Sequence, residues 1–113
     1  MLYATEGDLD AVWGASVIDL LTLDDATKQR DATRIAEALA DAAAFIDSYA
    51  ARRYALPLNL ADAGLRMTRG VCADVAVYRM AISADRLTEI IKTRYEQAIR
   101  YLEAVAAGRA EIA

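Results

Sequence analysis

The side chains able to do covalent or acid–base chemistry are few in this 113-residue chain. Histidine is absent and Cys72 is the sole cysteine. A Ser–His or Cys–His nucleophilic pair therefore cannot be built. The same shortage excludes an intramolecular disulfide and any zinc site made of several thiolates, or of thiolates with imidazoles. Cys72 stands beside Val71 and near Val75 on what reads as an apolar helix face. That setting predicts a buried small hydrophobe and not a reactive thiol. Among the carboxylates, Asp24 and Asp25 are adjacent and Asp31 follows closely. A calcium loop of the EF-hand type needs oxygen ligands at alternate positions and a central glycine. Ala26 and Lys28 occupy those positions and the glycine is missing, so no metal is expected. Paired-carboxylate glycosidase chemistry needs a walled cleft that a chain this short cannot build beside its core. Gly7, Gly14, Gly64, Gly70 and Gly108 form neither a P-loop nor a dinucleotide fingerprint. The expectation is a non-enzymatic protein without a cofactor.

The residues that remain suit contact with other macromolecules. Residues 1–51 carry ten acids and three bases, and residues 52–113 carry seven acids and ten bases. A net −7 thus precedes a net +3 (10 − 3 and 10 − 7), within an overall −4. Such a chain suits head-to-tail packing of copies, although two simply solvated faces would look the same. Arg52, Arg53, Arg66 and Arg69 head the basic part. A helix-turn-helix could be hidden in residues 62–78, with Arg66, Arg69 and the nearby Arg79 on a recognition helix. Against it, Leu56-Pro57-Leu58 is too extended to be the first helix of that motif, and the domain is acidic. Tyr54 and Tyr101 are interface candidates, having an aromatic body with a polar tip, whereas Tyr49 and Tyr95 read as core.

Helices must position these side chains. Alanine fills 26 of the 113 positions, against one proline and five glycines. That composition favours helix, because alanine loses no side-chain entropy there. Thr5 followed by Asp8 predicts a capped short helix over Glu6–Trp13, ended by Gly14. Residues 16–21 form a second apolar stretch whose spacing fits one or two helical turns or a strand. Leu23–Arg30 reads as a polar loop. Asp31 caps a long helix from Ala32 to Arg53, with Ile35, Leu39, Ala42, Ile46, Tyr49 and Arg53 on one stripe. Ala36, Ala43 and Ala50 flank that stripe and let a neighbouring helix approach. Pro57 forces an extended connector over 54–60, whose three leucines must press onto something. Asp62 is placed to cap a helix over Ala63–Ser83, with a stripe of Leu65, Val71, Cys72, Val75, Tyr78, Arg79 and Ile82. A short turn leads to the last helix, Arg86–Ala107, whose stripe is Leu87, Ile91, Tyr95, Ala98, Leu102 and Val105. Gly108 suits the C′ position, and Arg109–Ala113 is left as a tail.

The predicted fold is all-α: an antiparallel bundle of three long helices with short N-terminal helical turns. Residues 1–113 form one domain, divided into 1–30, a core of 31–107 and a tail of 108–113. The N-terminus has no basic or apolar signal region. No stretch approaches the roughly 18 apolar residues of a membrane span, so a soluble protein with no membrane partner is expected.

Several segments carry a resemblance that covers nearly the whole chain. They are Met1-Leu2-Tyr3-Ala4-Thr5 with Asp8-Leu9, then Ala38-Leu39-Ala40-Asp41-Ala42 with Ile46-Asp47-Ser48-Tyr49. The most specific are Arg53-Tyr54-Ala55-Leu56-Pro57-Leu58 and Cys72-Ala73-Asp74-Val75-Ala76-Val77-Tyr78-Arg79. Arg94-Tyr95-Glu96-Gln97-Ala98 and Tyr101-Leu102-Glu103 close the match. In order and spacing these resemble the small head-morphogenesis proteins of Mu-like phages and prophages. Some relatives have an Asp/Gly-rich loop before the first long helix, where this chain has Asp24-Asp25-Ala26-Thr27-Lys28. More distantly the chain is similar to the helical adaptors of other tailed phages, which form usually twelvefold rings under the portal. The resemblance implies a head–tail connector, or neck adaptor, in the virion, made in the host bacterial cytoplasm. Its implied partners are copies of itself in a ring, the portal protein, and stopper or tail-completion proteins. Genome DNA would pass through the lumen without sequence readout. The expected contact residues are Arg52, Arg53, Tyr54, Leu56, Pro57, Leu58, Arg66, Arg69, Tyr101 and Arg109. The tail is expected to become ordered only against the portal. A small helical DNA-binding or regulatory protein is the alternative.

Overall fold

Thr5 starts the first helix by a reciprocal bond: its hydroxyl accepts from the Asp8 amide at 3.2 Å, and the Asp8 carboxylate accepts from the Thr5 amide at 2.9 Å. This capping box satisfies two otherwise orphaned donors. The computed structural model describes residues 2–113, so Met1 of the N-terminal motif lies outside them. Helix α1 is Glu6–Trp13, ended by Gly14 at φ 91°, as expected. The ambiguous stretch after it is helical: α2 spans Ala15–Thr22 and buries Ile18, Leu21 and Thr22. The predicted loop over 23–30 is corrected to a small hairpin. Strands β1 (Leu23–Asp24) and β2 (Gln29–Arg30) pair antiparallel, Leu23 opposite Arg30. Its turn is closed locally: the Asp24 carboxylate accepts from the Ala26 amide, and Lys28 takes φ 59°.

Asp31 caps α3, Ala32–Ala50, by accepting from the Arg34 amide at 3.1 Å. The helix stops three residues before the expected Arg53, and residues 51–53 continue as turns. Ile35, Leu39, Ala42 and Ile46 are buried as the stripe requires, but Ala36 is exposed and Ala38 takes the inward place. Helix α4 is Asp62–Ser83. Asp62 is its first helical residue and not its cap, which is Ala61 with no side-chain bond. There the carboxylate still favours the positive end of the helix dipole. Helix α5, Glu89–Ala106, begins three residues later than the pattern suggested because Thr88 caps it, accepting from the Ile91 amide. Leu87 consequently falls in the turn and is exposed, and Ile82 is exposed as well. Ile91, Ala98, Leu102 and Val105 are buried as expected.

Both α4 and α5 end alike. The amides of Arg86 and Asp85 bond to the carbonyls of Ala81 and Ile82, and those of Arg109 and Gly108 to Ala104 and Val105. These are Schellman ends with a left-handed C′ residue, Asp85 at φ 56° and Gly108 at φ 82°.

The long helices are antiparallel: Arg34 of α3 reaches Ser83 near the end of α4, and Tyr78 of α4 stacks on Tyr95 of α5. Helix α4 lies centrally, packed against α3, α5, α1 and α2. It is therefore buried nearly all round over Val71–Val77, where only Asp74 is partly open. Fully buried Leu9, Ile18, Ile46 and Leu102 tie the N-terminal helices and the bundle into one core, each contributing about 1.5–3 kcal/mol by burial. The body measures 45 × 26 × 20 Å. Among the described residues no helix is long and apolar enough to cross a membrane.

Candidate functional site

The connector between α3 and α4 and the tail after α5 meet at one end of the bundle. Antiparallel packing brings them there, since α3 and α5 both finish where α4 starts. The peptide bond between Leu56 and Pro57 is cis. Of the connector leucines only Leu58 is buried; Leu60 is half-buried, and Leu56 is 45% exposed. The tail is not loose, which corrects the expectation that it awaits the portal. Ile112 is 2% exposed. The Tyr54 hydroxyl donates to Glu111 Oε2 at 2.6 Å and accepts from the Ile112 amide at 3.4 Å. The Tyr101 hydroxyl donates to the Glu111 carbonyl at 3.2 Å. Arg53 Nη1 donates to the carbonyls of Val105 and Ala110, and Nη2 lies 3.5 Å from Glu111 Oε1. Together Tyr54 and Arg53 hold the Glu111 carboxyl below its ordinary range. Burial raises the Tyr101 hydroxyl above its own.

The structure thus gathers Arg53, Tyr54, Leu56, Pro57, Leu58, Tyr101 and Arg109 at one end, with Arg52 exposed beside them. Arg66 sits along the same side, where it lines a shallow α4–α5 groove with Met67 and Tyr101. Arg69 does not join them. It turns to α1, with Nε 3.8 Å from Asp8 Oδ1. Glu111, Ile112 and Gly64 belong to this site and were missed. Gly64 could be sought only in three dimensions: a Cβ there would lie 2.8 Å from the Ile112 carbonyl oxygen.

Charge is less segregated than the sequence suggested, because part of the acidic half is neutralised within the chain. Arg30 reaches Glu6 at 2.8 Å, Asp10 at 2.8 Å and Asp19 at 2.7 Å, tying both N-terminal helices to the hairpin. Asp41 lies 3.8 Å from Arg79. Asp74 accepts from Trp13 Nε1 at 3.2 Å and lies 3.1 Å from Arg94 Nη2, while burial still raises its carboxyl above the usual range. Arg94 also lies over the Trp13 ring, 4.7 Å from its centre. Arg52, Arg66 and Arg109 form no ion pair among the described residues. The helix-turn-helix geometry is excluded, since the connector is not helical and α4 is uninterrupted from Asp62.

The family described as "Bacteriophage Mu, Gp36" matches residues 3–113. The chain belongs to that family. It is 36% identical over 112 residues to gene product J of Escherichia phage Mu, covering 98% of this chain and 76% of that protein. It is 33% identical over 108 residues to the Mu-like prophage FluMu protein gp36 of Haemophilus influenzae, covering 96% and 73%. As a member of the Mu Gp36 family it is a phage protein, and its described fold is all-α.

Proposed function

We propose that this chain is a neck adaptor: a non-enzymatic subunit that forms a ring, twelvefold in the particle, between the portal and the stopper or tail-completion proteins. It works in the virion after synthesis in the host bacterial cytoplasm, and genome DNA passes through the ring without sequence readout. The observation that carries this reading is that outward-facing apolar side chains occur at both ends of a 45 Å body, in addition to Leu2, Leu20, Leu23 and Met67. Leu56 stands out at the connector end, 45% exposed. Ile82, Leu87 and Ile90 stand out where α4 passes into α5, at the opposite end, and Ile90 is 67% exposed. A subunit held in a ring needs unlike surfaces for its neighbouring copy and for its axial partners. For the lateral contact, the basic positions Arg52 and Arg66 face the acidic N-terminal half of the next copy. Membership of a Mu phage family is consistent with such a role.

The test is cryo-microscopy of the particle that carries the chain. A ring of this fold between portal and tail is the expected result. Complete, joined particles lacking the protein would refute the reading. Steeply salt-dependent duplex binding by a monomer or dimer would replace it with a DNA-binding role.

A further inference from the structure

The tail is fixed by more contacts than a passive end needs, and they come from the start of the connector, the first turn of α4 and the C-terminal part of α5. Ile112 is the single buried anchor, and its carbonyl lies in a notch that exists only because residue 64 has no side chain. Around that anchor stand Arg53, Tyr54 and Tyr101, each donating to the tail. Arg53 and Tyr54 open the connector, so whatever holds the tail also fixes where Leu56 and Pro57 project. The polar holds are exposed, apart from the amide of Ile112. Bonds of that kind are weak and break locally without global unfolding. Gly108, in the left-handed region, turns the chain back and supplies a pivot.

We propose that residues 109–113 are a strap which sets the shape of the connector, so that tail and connector make one composite docking surface with Gly64 as its notch. The strapped form presents Leu56 and Pro57 beside the guanidinium groups of Arg52 and Arg109, which form no ion pair among the described residues. Its occupant is the acidic N-terminal half of a second copy, which offers opposite charge. This last step rests on the ring reading above.

Gly64→Ala in the full chain is the informative variant. It leaves tail, connector and core side chains untouched, and alanine suits a helix better than glycine. Only the notch is filled. Amide exchange in residues 54–60 and 109–113 should rise about tenfold or more, while the thermal midpoint moves by only a few degrees, because the alanine's helix preference offsets part of the lost tail contacts. Ile112→Asp, which removes the anchor, should do the same to exchange. Supplied to a phage lacking the protein, both variants should lower the yield of joined heads and tails well below that of the natural chain. Unchanged connector protection after tail release would overturn the proposal, and so would normal joining. Failure of both substitutions to release the tail would overturn it too. The exchange arm judges the strap even if the natural chain proves to sit elsewhere in the particle, a result that would sink only the neck assignment.

Discussion

Replacing Arg30 by methionine isolates the electrostatic staple of the N-terminal subdomain. The methionine keeps most of the apolar stem and removes the guanidinium. Three carboxylates lie within 2.8 Å of that group, on Glu6, Asp10 and Asp19, and the Ala15 carbonyl accepts a further bond. The carboxylates are 47%, 34% and 55% exposed, so solvent screens each pair strongly. An exposed pair is worth about 0.2–1 kcal/mol, and three sharing one ordered cation reach about 2 kcal/mol. Loss of the cation also leaves like charges facing one another. With an m-value of about 2 kcal/mol/M, the urea midpoint should fall by about 1 M. The midpoint temperature should fall by about 8 °C. Near 1 M salt, where screening acts over about 3 Å, the difference should shrink to about half. Arg30→Lys should recover only part of it, because an ammonium cannot present a planar fork to three partners. Unfolding is followed by circular dichroism at low and high salt. A loss below about 0.5 kcal/mol, or one indifferent to salt, would refute the staple.

Asp85→Gly should stabilise the fold by about 0.5–1 kcal/mol and raise the midpoint temperature by about 2–4 °C, since the left-handed φ of 56° strains any Cβ. A lower midpoint in calorimetry would show that the carboxylate contributes more than the strain. Cys72 is fully buried and its thiol is pushed up to about 11, so a thiol reagent at mildly alkaline pH should label it only after denaturant is added. Labelling of the native protein at the unfolded rate would contradict this. Glu111 has a folded-state pKa below its ordinary 4.5, so its contribution to tail docking is present above that value and lost as pH falls through the lowered one. The Ile112 methyl resonance should therefore shift in acid with a midpoint below 4.5. A midpoint at or above it would break the link between Glu111 and the tail.

Where the sequence contained a local signal with one physical meaning, the fold was legible. Thr5 with Asp8, Asp31 and Gly108 marked helix ends at the positions observed. The errors share a cause. At Thr88 a good cap was present, but the apolar Leu87 before it fitted the helical stripe and concealed the boundary. Ile82 matches its stripe and Ala36 flanks one, yet periodicity does not say how wide a neighbour's footprint is. The hairpin carries too few residues for a two-residue period to show. At the connector–tail site, Arg53, Tyr54 and Tyr101 could be singled out by residue type. Their partners could not, because Ile112 stands alone without periodic neighbours and Gly64 matters only through a distant carbonyl.

Of the sixteen buried positions on α3 and α4, seven are alanine: Ala38, Ala42, Ala43 and Ala50 on α3, and Ala73, Ala76 and Ala81 on α4. A methyl group has no alternative rotamer, so at these positions the seam has little freedom to absorb a displacement by rearranging side chains. The bundle must respond to force as a stiff strut. Load applied at one tip is delivered to the other, and any motion in service is confined to short segments outside the helices.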